Sequence, residues 1–173
     1  ETTRKCNLNC RYCMNRKEGD VHPPGRELST SEIKELVIDR IKEYSPSGGV
    51  AFSGGEHIMR PDALEIIEYN ARAGLWTFLN TNASLLDGKL IAELKKVTNG
   101  RIIFGFPVNS TDNKKNKWSR DDDLSTVVKA VKNCQKHKLP FFILVTISRQ
   151  NLEDLANTMK FLKKNGIPVL RAP

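Results

Sequence analysis

The chain has 173 residues, a length typical of a single domain that can bury a substantial core. Its formal net charge of +8 suits an acidic partner or nucleic acid, but the lysines are spread along predicted helix faces, so a solvated surface is favoured and nucleic acid is not. No apolar run is long enough to span a bilayer, so we expect no membrane partner. Three of the four cysteines are clustered, which is a poor disulfide framework, and we therefore expect a reducing, cytoplasmic setting.

The first part of the chain is predicted to lead from a strand through a loop to a helix. Residues 1–5 are predicted to end a first strand, residues 6–13 to form a loop, and residues 14–27, with their glycines and prolines, an irregular connection. Ser29-Thr30-Ser31-Glu32 has the sequence of a capping box, which marks the start of a helix. Apolar residues then recur at helical spacing and predict one buried face: Ile33, Val37, Ile41 and Tyr44.

The rest of the chain repeats a pattern of strand, loop and helix. Strands are predicted at 49–53, 75–79, 102–106 and 141–147, with a further one from residue 167. The helices between them carry apolar residues on one face: Leu64, Ile67, Ala71, Leu90, Leu94, Val97, Val127, Val131, Cys134, Leu152, Leu155, Met159 and Leu162. Strand starts lie about 26 residues apart, except across a polar stretch at 108–123 that we expect to be a solvated, mobile lid with Trp118 among its cations.

Repeated βα units predict an α/β fold in which helices flank a parallel sheet. Because right-handed crossovers curl such a sheet, we expect an open, partial (β/α)6 barrel of the TIM-like kind, with its first strand before Cys6. The chain opens just before the cysteine loop and stops as an apolar segment emerges. Residues 1–173 are therefore expected to be one core domain, cut from a longer protein at both ends.

Three cysteines lie within eight residues, at Cys6, Cys10 and Cys13, with the spacing C-x3-C-x2-C. Thiolates this close in a polar loop indicate a soft metal centre such as zinc or an iron–sulfur cluster. Three ligands are one short of the four that fill such sites, so either a distant His or Cys completes the site or one metal stays open for a substrate or cofactor. Cys134 lies on the apolar face of a helix and is expected to be a core residue.

A second motif, Ser53-Gly54-Gly55-Glu56, follows the strand predicted at 49–53. Two glycines allow a backbone to approach a ligand without a Cβ in the way. Loops that follow parallel strands share one face of the sheet. We therefore expect the cysteine loop and this turn to line one cleft with Asn80-Thr81-Asn82, Asn109-Ser110 and Arg149.

The spacing C-x3-C-x-aromatic-C, followed by Gly-Gly-Glu after the next strand, resembles the signature of the radical S-adenosylmethionine (radical SAM) superfamily. The resemblance implies the same partial barrel, with Cys6, Cys10 and Cys13 binding a [4Fe-4S] cluster whose fourth iron chelates S-adenosylmethionine. It also implies Tyr12 beside the adenine and a ligand amino group at residues 53–56. The further ligand contacts it implies are Asn82, Asn109, Ser110 and Arg149, and each of these also fits a turn-capping or solvent-facing role.

The reaction implied by the resemblance is reductive cleavage of S-adenosylmethionine to a 5′-deoxyadenosyl radical, which abstracts hydrogen from a substrate. It requires an external electron donor of the flavodoxin or ferredoxin type and a small-molecule or peptide substrate. The motif order resembles the branch that acts in cofactor biosynthesis and in peptide or protein maturation. Whether the enzyme is an oxidoreductase, a transferase or a lyase stays open.

Two alternatives remain at this point. Members of the family commonly have Pro after Gly-Gly-Glu, whereas this chain has His57, which is expected to be a loop residue. His57 or His22 could instead complete a Cys3His zinc site in a module that binds nucleic acid or protein. That module explains neither the Gly-Gly-Glu motif nor the repeated βα units. An RNA-modifying radical SAM enzyme is favoured by the charge, but no RNA-binding element is visible.

Overall fold

The computed structural model describes residues 1–15 and 26–167, and within them a parallel sheet is flanked by helices. Its four strands follow one another in chain order across the sheet: β1 (Gly49–Phe52), β2 (Trp76–Asn80), β3 (Ile102–Pro107) and β4 (Phe141–Leu144). The register pairs Gly49 with Trp76, Thr77 with Ile102, and Phe104 with Phe141. The α/β fold with a parallel sheet is confirmed.

Helices precede β1, follow every strand and cover the sheet. The first, α1, consists of an α-helical turn (Thr30–Glu32), a π-helical segment (Ile33–Ile38) and a second α-helical segment (Asp39–Tyr44). The others are α2 (Ala63–Arg72), α3 (Gly88–Val97), α4 (Asn113–Arg120), α5 (Leu124–Lys136) and α6 (Leu155–Lys164). Short 3-10 helices occupy His57–Met59 and Leu152–Asp154. Within the described residues, no helix is both long enough and apolar enough to cross a membrane.

The predicted capping box is present at the start of α1, but the buried face of this helix differs from the prediction. Ile33 and Ile38 are buried, five residues apart, which is the spacing of a π-helical turn. Tyr44, predicted on the buried face, is 83% exposed because the wider turn rotates the later positions outward. Leu152 is also exposed rather than buried, since it lies in the 3-10 helix ahead of α6.

The predicted first strand is reduced to a bridge between Thr3 and Gly54. The N–H of Gly55 donates to the Thr3 carbonyl at 2.7 Å, and the N–H of Glu56 donates to the Lys5 carbonyl at 2.7 Å. A Cβ on Gly55 would lie 2.1 Å from the Lys5 carbonyl oxygen, and Gly54 has a φ of +120°. The two glycines therefore allow the amino-terminal segment, which carries the cysteine loop, to pack closely against the end of β1.

The prediction of a loop over 108–123 is wrong, because this stretch contains α4. Asp112 caps the helix by accepting from the N–H groups of Lys114 and Lys115, and Asp121 ends it in a left-handed conformation. Arg120, expected in a solvated lid, is fully buried, whereas Trp118 is 45% exposed.

Three further segments differ from the prediction or lie outside the described residues. Strand β4 ends at Leu144, short of the predicted residue 147, because the N–H of Thr146 donates to the Asn109 side chain instead of to a strand neighbour. The strand predicted from Ile167 lies outside the described residues, except for Ile167 itself. Most of the connection predicted at 14–27, including His22, also lies outside them.

Candidate active site

A cleft of about 280 Å³ lies at the carboxyl ends of the strands. The three thiols of Cys6, Cys10 and Cys13 line it together with Tyr12. Across from the cysteine loop, the cleft is lined by the turn after β1 and the turn after β2, through Ser53, Gly54, Gly55 and Asn82. The structure thus brings most of the predicted site residues to one place.

The cysteine loop presents three free, half-buried thiols. The N–H of Leu8 donates to Cys6 Sγ at 3.5 Å, and the N–H of Asn15 donates to Cys13 Sγ at 3.4 Å. Such N–H···S bonds stabilise metal-bound thiolates and tune their redox potential. Burial raises the pKa of Cys10 to about 11, against the opposing charge of Arg120.

Glu56 holds two turns together and is absent from the cleft lining. Its side chain is 1% exposed, and its carboxylate accepts hydrogen bonds from the Thr81 hydroxyl at 3.0 Å, the Asn82 N–H at 2.8 Å and the Ile58 N–H at 3.4 Å. Burial raises the pKa of this carboxyl, and the three hydrogen bonds oppose the shift. The geometry therefore gives Glu56 a positioning role: it connects the turn after β1 to the turn after β2.

Asn82 joins the turn after β2 to the cysteine loop. Its Nδ2 donates to Asn7 Oδ1 at 2.9 Å and lies 3.7 Å from Cys6 Sγ, within hydrogen-bond distance of a sulfur acceptor. Its own Oδ1 accepts from the Ser84 hydroxyl at 2.6 Å, which fixes the orientation of the amide. A neutral donor is thereby aimed at a thiol that is predicted to bind a cluster.

Arg120 is a cleft residue that the sequence analysis did not identify. It is fully buried at the end of α4, and its Nη2 donates to the Asn82 carbonyl at 3.2 Å. In the part of the chain that the structure describes, its Nε and Nη1 are buried without a hydrogen-bond partner. Buried N–H groups of a cation are costly to leave unpaired, so this guanidinium is suited to an anionic ligand in the cleft.

A sequence signal for Arg120 did exist. Residues 108–123 contain neither Gly nor Pro, Asp112 is a good helix cap, and Asn116 and Arg120 are separated by one helical turn and are both buried. The signal is weak because α4 has no apolar face.

Three predicted ligand contacts lie away from the cleft lining. Asn109 is buried, accepts from the Thr146 N–H at 3.0 Å and donates to Ser119 Oγ at 3.3 Å. Ser110 is buried and donates to the Asp154 carboxylate, which lowers the pKa of that acid. The third, Arg149, is exposed. Pro107, Leu144 and Thr146 line this side of the cleft instead.

His57 is fully buried beneath the turn and does not line the cleft. Its Nδ1 is hydrogen-bonded to the Thr2 hydroxyl at 2.7 Å, its ring lies 4.7 Å from that of Phe52, and burial lowers its pKa to about 4. Among residues 1–15 and 26–167, no group of three or more His, Cys, Asp or Glu side chains is arranged to hold a single metal ion. Cys134 is fully buried in the core, as predicted, and burial raises its pKa to about 12.

Comparison with known proteins identifies relatives over most of the chain. The family model described as the Radical SAM superfamily matches residues 1–162. An AdoMet-dependent heme synthase of Methanosarcina barkeri is 30% identical over 166 residues, covering 96% of this chain and 46% of the relative. A PqqA peptide cyclase of Bradyrhizobium diazoefficiens is 33% identical over 163 residues, covering 85% of this chain and 42% of the relative.

A solved structure, anSMEcpe with bound AdoMet, superimposes with a TM-score of 0.77 at 21% identity. The match covers 98% of this chain and 48% of that one. This likeness confirms the TIM-barrel-like α/β fold. The chain spans less than half the length of these relatives.

Proposed function

The chain belongs to the radical SAM superfamily, and on that premise we propose that its protein cleaves S-adenosylmethionine reductively and uses the 5′-deoxyadenosyl radical to take hydrogen from a substrate. One observation carries the proposal. Three cysteines with free thiols and Arg120, whose buried guanidinium is incompletely paired, line the same cleft at the carboxyl ends of parallel strands. This is the donor set that a cluster and a cofactor with a carboxylate group require together.

The residues of the cleft fit both groups. Cys6, Cys10 and Cys13 would hold a [4Fe-4S] cluster, which when bound supplies the electron that splits the sulfonium. Single-ion binding fits less well, since thiolates on one zinc lie about 4 Å apart and the described residues offer no such group. The unpaired N–H groups of Arg120 suit the carboxylate of S-adenosylmethionine, because hydrogen bonds from a guanidinium to a carboxylate are charge-assisted and strong.

The other cleft residues would bind, orient and shield the ligand. We assign the ligand's amino group to the main chain at Ser53, Gly54 and Gly55, and its adenine to the neighbourhood of Tyr12. Glu56 acts indirectly, by holding the turn after β1 against the turn after β2. Leu144 and Pro107 contribute apolar surface to the cleft. We assign no ligand contact to Asn109, Ser110 or Arg149, which are absent from the cleft lining.

The proposed substrate is a small molecule or a peptide. Two relatives are named as a heme synthase and as a cyclase of the PqqA peptide, so cofactor biosynthesis or peptide maturation is the proposed setting. We further propose an electron donor of the flavodoxin or ferredoxin type and a reducing, cytoplasmic compartment, where free thiols such as these persist.

Formation of 5′-deoxyadenosine tests the proposal. The intact protein is reconstituted anaerobically with iron and sulfide and supplied with S-adenosylmethionine and dithionite, next to a variant with Cys6, Cys10 and Cys13 replaced by Ala. The proposal predicts product from the native protein and none from the variant. Absence of product from a native protein that has taken up iron would contradict it.

A further inference from the structure

The cysteine loop rests on the carboxyl end of α4, and we propose that Arg11 is a positioning residue that retains the cluster by fastening the loop to that helix end. Arg11 lies between Cys10 and Cys13, in the shorter of the two intervals that separate the thiols. Fixing its position therefore constrains two of the three thiols at once. The inference rests on the proposed function, since it concerns how this chain holds the proposed cofactor.

The first observation concerns the last carbonyl groups of α4. A helix leaves its final carbonyls without partners inside the helix. Here three consecutive carbonyls accept hydrogen bonds from the cysteine loop. The pairs are Arg11 Nε to the Trp118 carbonyl at 3.1 Å, Arg11 N to the Ser119 carbonyl at 2.8 Å and Cys10 Sγ to the Arg120 carbonyl at 3.1 Å.

The second observation is the position of the Arg11 side chain. Its guanidinium lies over the Trp118 ring, 4.8 Å from the ring centroid, while its Nε donates to the carbonyl of the same residue. A cation above an aromatic face is attracted by the ring, and a cation at the carboxyl end of a helix also interacts favourably with the helix dipole. Arg11 thus makes two hydrogen bonds and a stacking contact with one helical turn.

These contacts gain importance when a cluster is bound. A thiolate ligand has no proton to donate, so Cys10 would give up its hydrogen bond to the Arg120 carbonyl. The two hydrogen bonds from Arg11 are unaffected by that change and would still join the loop to the helix end. Arg120 is the next residue after Ser119, so the same contacts also fix the helix end that carries the proposed carboxylate-binding guanidinium.

Two variants of the intact, reconstituted protein test the inference. Arg11→Ala removes the Nε hydrogen bond and the stacking, while Trp118→Leu removes only the stacking and keeps the carbonyl. Arg40→Ala is the matched control, because Arg40 is an exposed arginine whose side chain pairs with Glu43 at 2.9 Å, on α1. The measurements are the rate of iron loss to a chelator and the electron paramagnetic resonance (EPR) spectrum of the reduced cluster.

We expect Arg11→Ala to lose iron about tenfold faster than the native protein and Trp118→Leu about threefold faster, from the loss of a charge-assisted hydrogen bond and a partly exposed cation–π contact. Arg40→Ala should match the native rate. Arg11→Lys, which keeps a cation over the ring, should restore part of the retention. The EPR spectrum of Arg11→Ala should shift, since two of the thiols are less firmly placed.

Two results would overturn the inference. One is a native iron-loss rate and EPR spectrum in Arg11→Ala; the other is equal acceleration in Arg11→Ala and Arg40→Ala, which would indicate general destabilisation. Thermal unfolding of each metal-free variant separates loop placement from folding, and Trp118→Leu carries the test if Arg11→Ala does not fold. A native protein that takes up no iron would instead refute the proposed function, and this inference with it.

Discussion

Replacing Arg120 with Met should stabilise the metal-free protein while weakening its affinity for S-adenosylmethionine. Two buried nitrogens of Arg120, Nε and Nη1, have no partner among the described residues, and each such unpaired group costs about 1–3 kcal/mol. The substitution also removes one hydrogen bond, 3.2 Å to the Asn82 carbonyl, worth about 1 kcal/mol, and some packing. We expect a net rise of about 1–3 kcal/mol in the free energy of unfolding.

The chain offers a matched control in a second buried arginine. Arg60 is 9% exposed, and its guanidinium is paired with the Asp62 carboxylate at 2.9 and 2.7 Å and with the carbonyls of Thr2 at 2.6 Å and Leu28 at 3.2 Å. Arg60→Met should lower the free energy of unfolding by about 3–5 kcal/mol, because it leaves a partly buried carboxylate without its cation. The two arginine variants are thus expected to change stability in opposite directions.

The assays are urea unfolding of the metal-free protein and equilibrium dialysis of S-adenosylmethionine against the reconstituted one. Loss of a charge-assisted guanidinium–carboxylate contact, about 3 kcal/mol, should weaken binding about 100-fold in Arg120→Met. If Arg120→Met unfolds at a lower urea concentration than the native protein and binds S-adenosylmethionine with native affinity, Arg120 is a structural group and not a ligand-binding one.

Three further substitutions test the site. Glu56→Gln should lower the free energy of unfolding by about 2 kcal/mol, because an amide cannot accept from all three donors. A double-mutant cycle with Thr81→Val should show coupling between the two side chains, and additive effects of the two substitutions would contradict the contact. His57 has a folded pKa of about 4 against an ordinary 6.5, so the unfolded chain gains the proton first and stability is lost as pH falls from 6.5 to 4. Between pH 6.5 and pH 4, the free energy of unfolding of His57→Phe, measured by urea titration, should therefore fall by about 3 kcal/mol less than that of the native protein. If the free energies of unfolding of the two proteins fall in parallel with pH, the assignment to His57 is contradicted. Asn82→Leu should lower the cluster potential by about 30 mV in an EPR-monitored redox titration, because an N–H···S bond is lost, and an unchanged potential would show that this donor does not reach Cys6.

The sheet could be predicted from the sequence because its strands are short apolar runs at regular spacing. The strand predicted at 102–106 is observed at Ile102–Pro107, and the one predicted at 75–79 is observed at Trp76–Asn80. Each strand has a buried face, which leaves such apolar segments few alternatives. The helix α4 could not be found in the same way, since its surface carries lysines and its two buried residues, Asn116 and Arg120, are polar.

The candidate site was predictable where a motif places several residues in one short loop. The three cysteines and the Ser53-Gly54-Gly55 turn lie at the cleft because each motif directly follows the amino-terminal segment or β1. Residues after later strands were harder to place, since position alone does not say which way a side chain faces. Asn109 and Ser110 turn toward neighbouring loops, and the cleft receives its cation from the far end of α4.

The proposed function requires three thiols of this chain to hold a [4Fe-4S] cluster with one iron open to S-adenosylmethionine. The most direct test is metal and sulfide analysis of the anaerobically reconstituted intact protein, followed by EPR spectra of the reduced protein with and without S-adenosylmethionine. We expect iron and sulfide in equal amounts, both lost when Cys6, Cys10 and Cys13 are replaced by Ala, and a spectrum that changes when S-adenosylmethionine is added. One zinc per chain with no bound iron, or an iron–sulfur spectrum that S-adenosylmethionine leaves unchanged, would contradict it.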